Sequence, residues 1–219
     1  MKKLVSFAAS MLLMTTAFYS QANTFVKGKD YIVINEAASE QQSVTEFFSF
    51  YCGHCYNFEP FVKSLKKKLP ENVKFTKSHV DFLGGATKEI QQALTTAYVA
   101  AEQLKVEDKI AAAIFDYIHK QRATFASTKD IRNIFIANGV KGEDYDKAIN
   151  SFTVKTKTNL LFREQDKLNK QGVLSGVPAF VVNGKYKVTP ENFTIKPKSW
   201  DELFQHYEKV VLFLTKQKG

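Results

Sequence analysis

Cys52 and Cys55 are the only thiols in this chain of 219 residues, and only Gly53 and His54 separate them. They follow an aromatic run, Phe47-Phe48-Ser49-Phe50-Tyr51. After them Phe58, Phe61, Val62, Leu65 and Leu69 recur at three- and four-residue steps, the spacing of one apolar helix face. The pair is therefore expected where a strand passes into a helix N-terminus. A helix start offers unpaired N–H groups and the positive end of the helix dipole, and both favour a thiolate over a thiol. With Cys52 as the cap, the N–H groups of His54 and Cys55 point toward its sulfur, and a His54 imidazolium pushes the same way. A thiolate of lowered pKa is a nucleophile and a good leaving group, which thiol–disulfide exchange requires.

Other uses of Cys-Gly-His-Cys fit less well. A cross-link gains with the size of the loop it closes, and this loop is minimal, so the pair makes a poor staple. A zinc site would need a second half, yet His79, His119 and His206 stand far apart without ligand spacing. No metal is expected.

The elements around the pair are read from periodicity. Tyr31–Ile34 is a first strand, and residues 43–50 are a second, continuous in apolar residues as a strand covered on both faces should be. Glu46 interrupts that run. Strand alternation places it on one face with Val44, Phe48 and Phe50, which leaves a carboxylate in apolar surroundings. The helix from Cys55 to Leu69 should bend at Pro60 and stop at Pro70. Residues 73–80 make a third strand. From Ala86 to Gln171 the pattern is helical, with a start at Ser127–Asp130 and a stop at Asn138-Gly139. Then Ala179–Val182, Asn183-Gly184 and Lys185–Val188 form a hairpin with a two-residue turn, and a last helix runs from Ser199 to Lys216.

Residues 1–22 have the layout of a secretory signal. Lys2 and Lys3 lead, Leu4 to Phe18 are largely apolar, and Ser20-Gln21-Ala22 offers a small-x-small cleavage site, so the mature chain is expected to begin near Asn23. Export would put the cysteines in an oxidising compartment. The formal net charge is +9, but the lysines are dispersed and no aromatic-basic motif accompanies them. That charge serves solubility rather than nucleic acid.

Together these pieces resemble the thioredoxin superfamily, and within it the DsbA-type periplasmic oxidoreductases, over essentially the whole mature chain. The matching stretches are Glu46–Phe50, the Cys52–Cys55 pair, Lys67–Pro70, Gly84-Gly85, Lys141–Glu143 and Gly176-Val177-Pro178-Ala179. The resemblance implies an α/β protein whose thioredoxin fold is interrupted by an all-helical insertion: residues 23–84 and 172–219 form the thioredoxin-like domain, and 85–171 the insertion. It implies a cis peptide before Pro178. It also implies roles for individual residues: Cys52 as the exposed attacking sulfur, Cys55 as the more buried resolving one, and Glu46 as the group that trades protons with Cys55, supported by Lys77 and Glu59. Val177 and Pro178 would face the sulfurs and hold substrate backbone, while Val62, Pro190, Trp200 and Leu203 would form an apolar surface for partners. No cofactor beyond the Cys52–Cys55 disulfide is implied. The implied partners are newly exported cysteine-containing proteins and a DsbB-like, quinone-linked membrane oxidase, the protein itself being a monomer. Where the family usually has Pro-His between the cysteines, this chain has Gly53-His54, the dipeptide of protein disulfide isomerases. Gly53 leaves the helix start more flexible, which bears on how strongly oxidising the pair is. An isomerase or reductase is the nearest alternative, although the stretch from Asn23 to Cys52 is too short for the dimerisation domain of periplasmic isomerases. A chaperone-like peptide-binding module with incidental cysteines is another.

Overall fold

A computed structural model describes residues 25–34 and 38–217 of the chain; the expected signal segment and the start near Asn23 lie outside the described residues. Five strands form one sheet: β1 (Tyr31–Val33), β2 (Ser43–Phe48), β3 (Lys74–His79), β4 (Ala179–Val182) and β5 (Tyr186–Val188). Their spatial order is β1-β5-β4-β2-β3. Only β2 and β3 run parallel, and they are joined through helix α1 (Gly53–Lys68); the other pairings are antiparallel. Asn183 and Gly184 turn the β4–β5 hairpin with φ of 52° and 62°, the left-handed values such a turn needs at both positions. Asn183 also accepts from the Ser43 N–H at 3.0 Å and donates to the Leu214 carbonyl at 3.1 Å. One turn residue thus ties the hairpin to β2 and to the end of the last helix.

Between β3 and β4 come five helices: α2 (Lys88–Gln103), α3 (Glu107–Phe115), α4 (Thr128–Ala137), α5 (Gly142–Asn150) and α6 (Phe152–Lys170); α7 (Trp200–Thr215) follows β5. Ser127 and Asp130 close a capping box on α4, and Gly139, with φ 89°, follows its C-cap Asn138. One local expectation needs correction. β2 ends at Phe48 rather than at residue 50, because the Cys52 N–H turns back onto the Ser49 carbonyl at 3.0 Å and pulls Ser49 and Phe50 out of the sheet. In addition, α3 widens into a π-turn over Asp116–Lys120.

Most of the apolar interior lies in two large clusters. One joins α1 and α7 to the sheet through Val44, Phe58, Phe61, Leu65, Phe180, Tyr207 and Leu214. The other joins the helical segment to the end of β2, and it contains Cys52 and Cys55 beside Phe48, Phe50, Leu94, Tyr98, Ile114 and Phe115. Phe115 is fully buried there, so truncating it to alanine should cost about 3–5 kcal/mol. The cysteines therefore sit at the seam between sheet and helices.

Candidate functional site

Cys52 is the N-cap of α1, with φ −91° and ψ 108°. Its sulfur accepts the Cys55 N–H at 3.1 Å and, as a thiol, donates to the Val177 carbonyl at 3.3 Å. Both cysteines are unbonded, so this is the dithiol form. Cys52 is only 5 % exposed and Cys55 is 0 %. The expectation of an exposed Cys52 is thus corrected: the cap folds its sulfur under the first turn, and the Val177 carbonyl faces it from the β4 side. Access runs past Gly53 and His54, which are exposed.

The two thiols are displaced in opposite directions. A hydrogen bond from the Cys55 thiol holds Cys52 below the usual cysteine range against the opposing effect of burial, with the N–H groups of Cys55 and His54 adding to it. Burial pushes Cys55 far up, and its hydrogen bond to Cys52 and the charge there push it further. Between two sulfurs sharing one proton, the proton belongs to Cys55. His54 contributes through its backbone N–H, whereas its ring lies beside Trp200, 6.5 Å between centroids.

Beneath the sulfurs lies a buried carboxyl. Glu46 is 0 % exposed, and neither of its oxygens makes a hydrogen bond. Lys77, directly opposite it on β3, brings Nζ to 3.2 Å from Oε2, but donates its hydrogen bond to Glu59 on α1. Burial raises Glu46 from 4.5 to about 7; the Lys77 charge opposes this and Glu59 reinforces it. Burial alone would lower Lys77, but the charges of Glu46 and Glu59 outweigh it and hold it above the ordinary lysine value. The Glu46 charge in turn disfavours both thiolates. Glu59, Lys63, Lys66 and Lys77 line a cleft of about 530 Å³ on the flank of α1, so this chain of groups leads from the interior to solvent. Such an arrangement can store a proton near neutral pH and pass it on.

The peptide from Val177 to Pro178 is cis, and both residues are half-buried just before β4. Trp200 opens α7, is 52 % exposed, and sets its ring 6.2 Å from Phe58 in an edge-on contact. With Leu203, Pro197, Lys198 and Ser199 it borders a shallow groove of about 340 Å³. Val62 does not belong to that surface. It is 3 % exposed and packs in the cluster between α1, the sheet and α7, because position 62 falls on the inward face of α1. Pro190 starts a short 3₁₀ turn after β5 and is half-buried; among the described contacts none brings it to the sulfurs. Periodicity missed His119. The π-turn carries this histidine to the Phe50 carbonyl, with Nε2 at 2.8 Å, and lays its ring parallel to that of Tyr56 at 5.1 Å. No local pattern announces it, since its partners lie on other elements. Among the described residues no group of three or more His, Cys, Asp or Glu side chains could hold a metal ion.

Residues 43–203 match the model of the DSBA-like thioredoxin domain. Over the full length of both chains the sequence is 42 % identical to the thiol:disulfide interchange protein DsbA of Salmonella typhimurium and 40 % identical to that of Escherichia coli K12. The crystal structure of the disulfide oxidoreductase DsbA from Proteus mirabilis superposes with a TM-score of 0.75 at 37 % identity, covering 88 % of this chain and 97 % of that one. A variant of that protein has been solved with a non-covalently bound peptide, PWATCDS, and matches with a TM-score of 0.76. A capped cysteine pair on a thioredoxin-like sheet, matched along the whole chain, makes this protein a member of the DsbA family of thiol:disulfide oxidoreductases.

Proposed function

We propose that the protein works as an oxidase, donating the Cys52–Cys55 disulfide to newly exported proteins in the periplasm. The supporting observation is the opposed displacement of the two thiols, with Cys52 lowered and Cys55 raised. A stabilised Cys52 thiolate makes the reduced pair the favoured product, which is what an electron acceptor needs. A substrate thiolate attacks the Cys52 sulfur and forms a mixed disulfide, and the S–S bond to Cys55 breaks. The departing Cys55 sulfur takes a proton, for which Glu46, backed by Lys77 and Glu59, is the source. A second substrate thiolate then attacks its partner sulfur in the mixed disulfide and expels Cys52 as the thiolate. Two electrons have passed from the substrate to the pair, and the substrate carries the new disulfide.

Substrate backbone would lie along Val177 and Pro178, with Trp200 and Leu203 as the apolar wall beside it. The peptide-bound relative lends support to an extended, cysteine-containing ligand of this kind. Reoxidation would fall to a DsbB-like quinone-linked membrane partner, and the protein would act as a monomer, with residues 85–171 as the insertion in the thioredoxin-like domain. Equilibration with glutathione tests the direction of transfer. Reduced glutathione at cellular concentration should convert the pair largely to the dithiol. A disulfide that persists under those conditions would overturn the oxidase reading.

A further inference from the structure

At the end of α3 the backbone widens into a π-turn, the Gln121 N–H reaching the Asp116 carbonyl at 2.9 Å. Such turns shift the side chains that follow and often occur at functional sites. Here the turn delivers His119 to the start of α1. Its Nε2 is 2.8 Å from the Phe50 carbonyl, and a carbonyl only accepts, so Nε2 carries a hydrogen whether or not the ring is charged. The ring stacks on Tyr56 with 14° between planes, and the Tyr56 hydroxyl is anchored on Asp116 at 3.2 Å. His119 Cε1 lies 4.0 Å from where a side chain at Gly53 would begin. One half-buried imidazole thus touches the turn before Cys52 and the first turn of α1, and borders the space beside Gly53.

That turn decides where the Cys52 sulfur points. β2 ends at Phe48, so the Phe50 carbonyl has left the sheet ladder, and the segment up to Cys52 is held locally by Ser49, through its carbonyl to the Cys52 N–H at 3.0 Å and its hydroxyl to the Tyr51 N–H at 3.2 Å. Gly53 follows immediately and leaves the backbone free to move. We infer that His119 is a positioning residue for the redox pair: by fixing the Phe50 carbonyl from the helical segment, it holds the cap that aims Cys52 at the Cys55 N–H. The inference rests on the reading of Cys52 as the capped thiolate.

Titration of the Cys52 thiolate by its ultraviolet absorbance, in the full-length reduced protein, tests it. In His119→Leu the midpoint should rise by about half a unit, the size expected when one neutral hydrogen bond to the cap is lost. His119→Gln, which can donate to the same carbonyl without charge, should return it to the wild-type value. Two results overturn the inference: an unchanged midpoint in His119→Leu, or a midpoint in His119→Gln as high as in His119→Leu, which would make the ring's charge the cause. A wild-type midpoint near that of an ordinary cysteine would instead bring down the capped-thiolate reading itself, so the two failures are distinguishable. If the leucine variant does not fold, His119→Ala, which removes the donor without adding bulk, takes its place in both comparisons.

Discussion

The mouth of the site, above Cys52, and the floor, below Cys55, shift their ionisable groups by different means. At the mouth, a hydrogen bond from the Cys55 thiol and, after it, backbone N–H groups at a helix start stabilise a charge on Cys52. At the floor, burial works against charge and raises both Cys55 and Glu46. A dipole-lined rim next to an apolar floor lets one sulfur leave as an anion while its neighbour keeps a proton. The asymmetry follows from position. Cys52 caps the helix, whereas Cys55 lies one turn in, facing Phe48, Phe115 and the other apolar side chains of the helical cluster.

Removing one sulfur at a time gives the largest effects. Cys52→Ser should reduce peptide oxidation to the uncatalysed background, since Cys55 alone cannot form the disulfide that a substrate thiolate attacks. Cys55→Ser, treated with a disulfide reagent and then substrate thiols, should accumulate a mixed disulfide through Cys52 that is detectable by mass spectrometry. If instead Cys55→Ser retained turnover and Cys52→Ser formed the adduct, mouth and floor would have to exchange roles.

The next effect is on stability. Folded Cys52 holds its proton less tightly than an unfolded thiol, which titrates near about 8.5. Its stabilising contribution is complete above that pH and is lost as pH falls through the folded value. Cys55, raised, costs stability only where the unfolded thiol would ionise, at and above about pH 8.5. Between the folded Cys52 value and that limit the reduced protein should resist denaturant better than the oxidised one. A ring as small as the Cys52–Cys55 one offers the least compensation a cross-link can give. Denaturant midpoints of the two forms near neutral pH decide it, and a higher midpoint for the oxidised form would mark the pair as a staple.

Several of these features were legible in the sequence because they are local. Alternation along β2 put Glu46 inside, Asn183-Gly184 announced its hairpin, and Ser127–Asp130 announced a helix start, all of which the fold contains. What could not be read depends on distant partners. The Val177 carbonyl that covers Cys52 lies 125 positions away and was implied only by the family resemblance, and nothing at all marked His119, 69 positions from the Phe50 it holds. Val62 was ambiguous for another reason: on a helix packed against both a sheet and another helix, the apolar stripe is wide, and its edge does not show which positions reach solvent.

Glu46→Gln sharpens the comparison from below. A carboxyl raised in the folded state contributes stability below its unfolded value, and that contribution is lost as pH rises through the folded one. The rise from 4.5 to about 7 corresponds to roughly 3 kcal/mol well above both values. That figure already includes the opposing Lys77 charge, so a glutamine, neutral like the protonated carboxyl, should recover most of it, a gain of about 2–3 kcal/mol above pH 7. The two proteins should be alike near pH 4 and diverge as pH rises, while exchange by the variant slows for lack of the proton held for Cys55. A pH-independent difference in unfolding free energy would show that Glu46 does not titrate in this range.

The smallest effect on the fold, and the one most specific to the mouth, is expected at Trp200. Its ring is half in water, against Phe58, Phe204 and His54, at the first position of a helix already capped by Ser199. Truncation there leaves no closed cavity and spares the cap, so Trp200→Ala should shift unfolding free energy by no more than about 0.5–1 kcal/mol. Alanine also adds no charge near His54, which leaves the Cys52 titration in place. If the indole is an anchor for an extended peptide, its loss should lower kcat/KM for peptide oxidation by about tenfold, as removing an aromatic contact at the centre of an interface does. Oxidation of dithiothreitol, which needs no groove, should proceed at the wild-type rate. The pair of substrates separates the two outcomes: a parallel fall in both would mean that Trp200 acts on the sulfurs through His54, and the apolar wall beside Val177 and Pro178 would then have to be built from other residues.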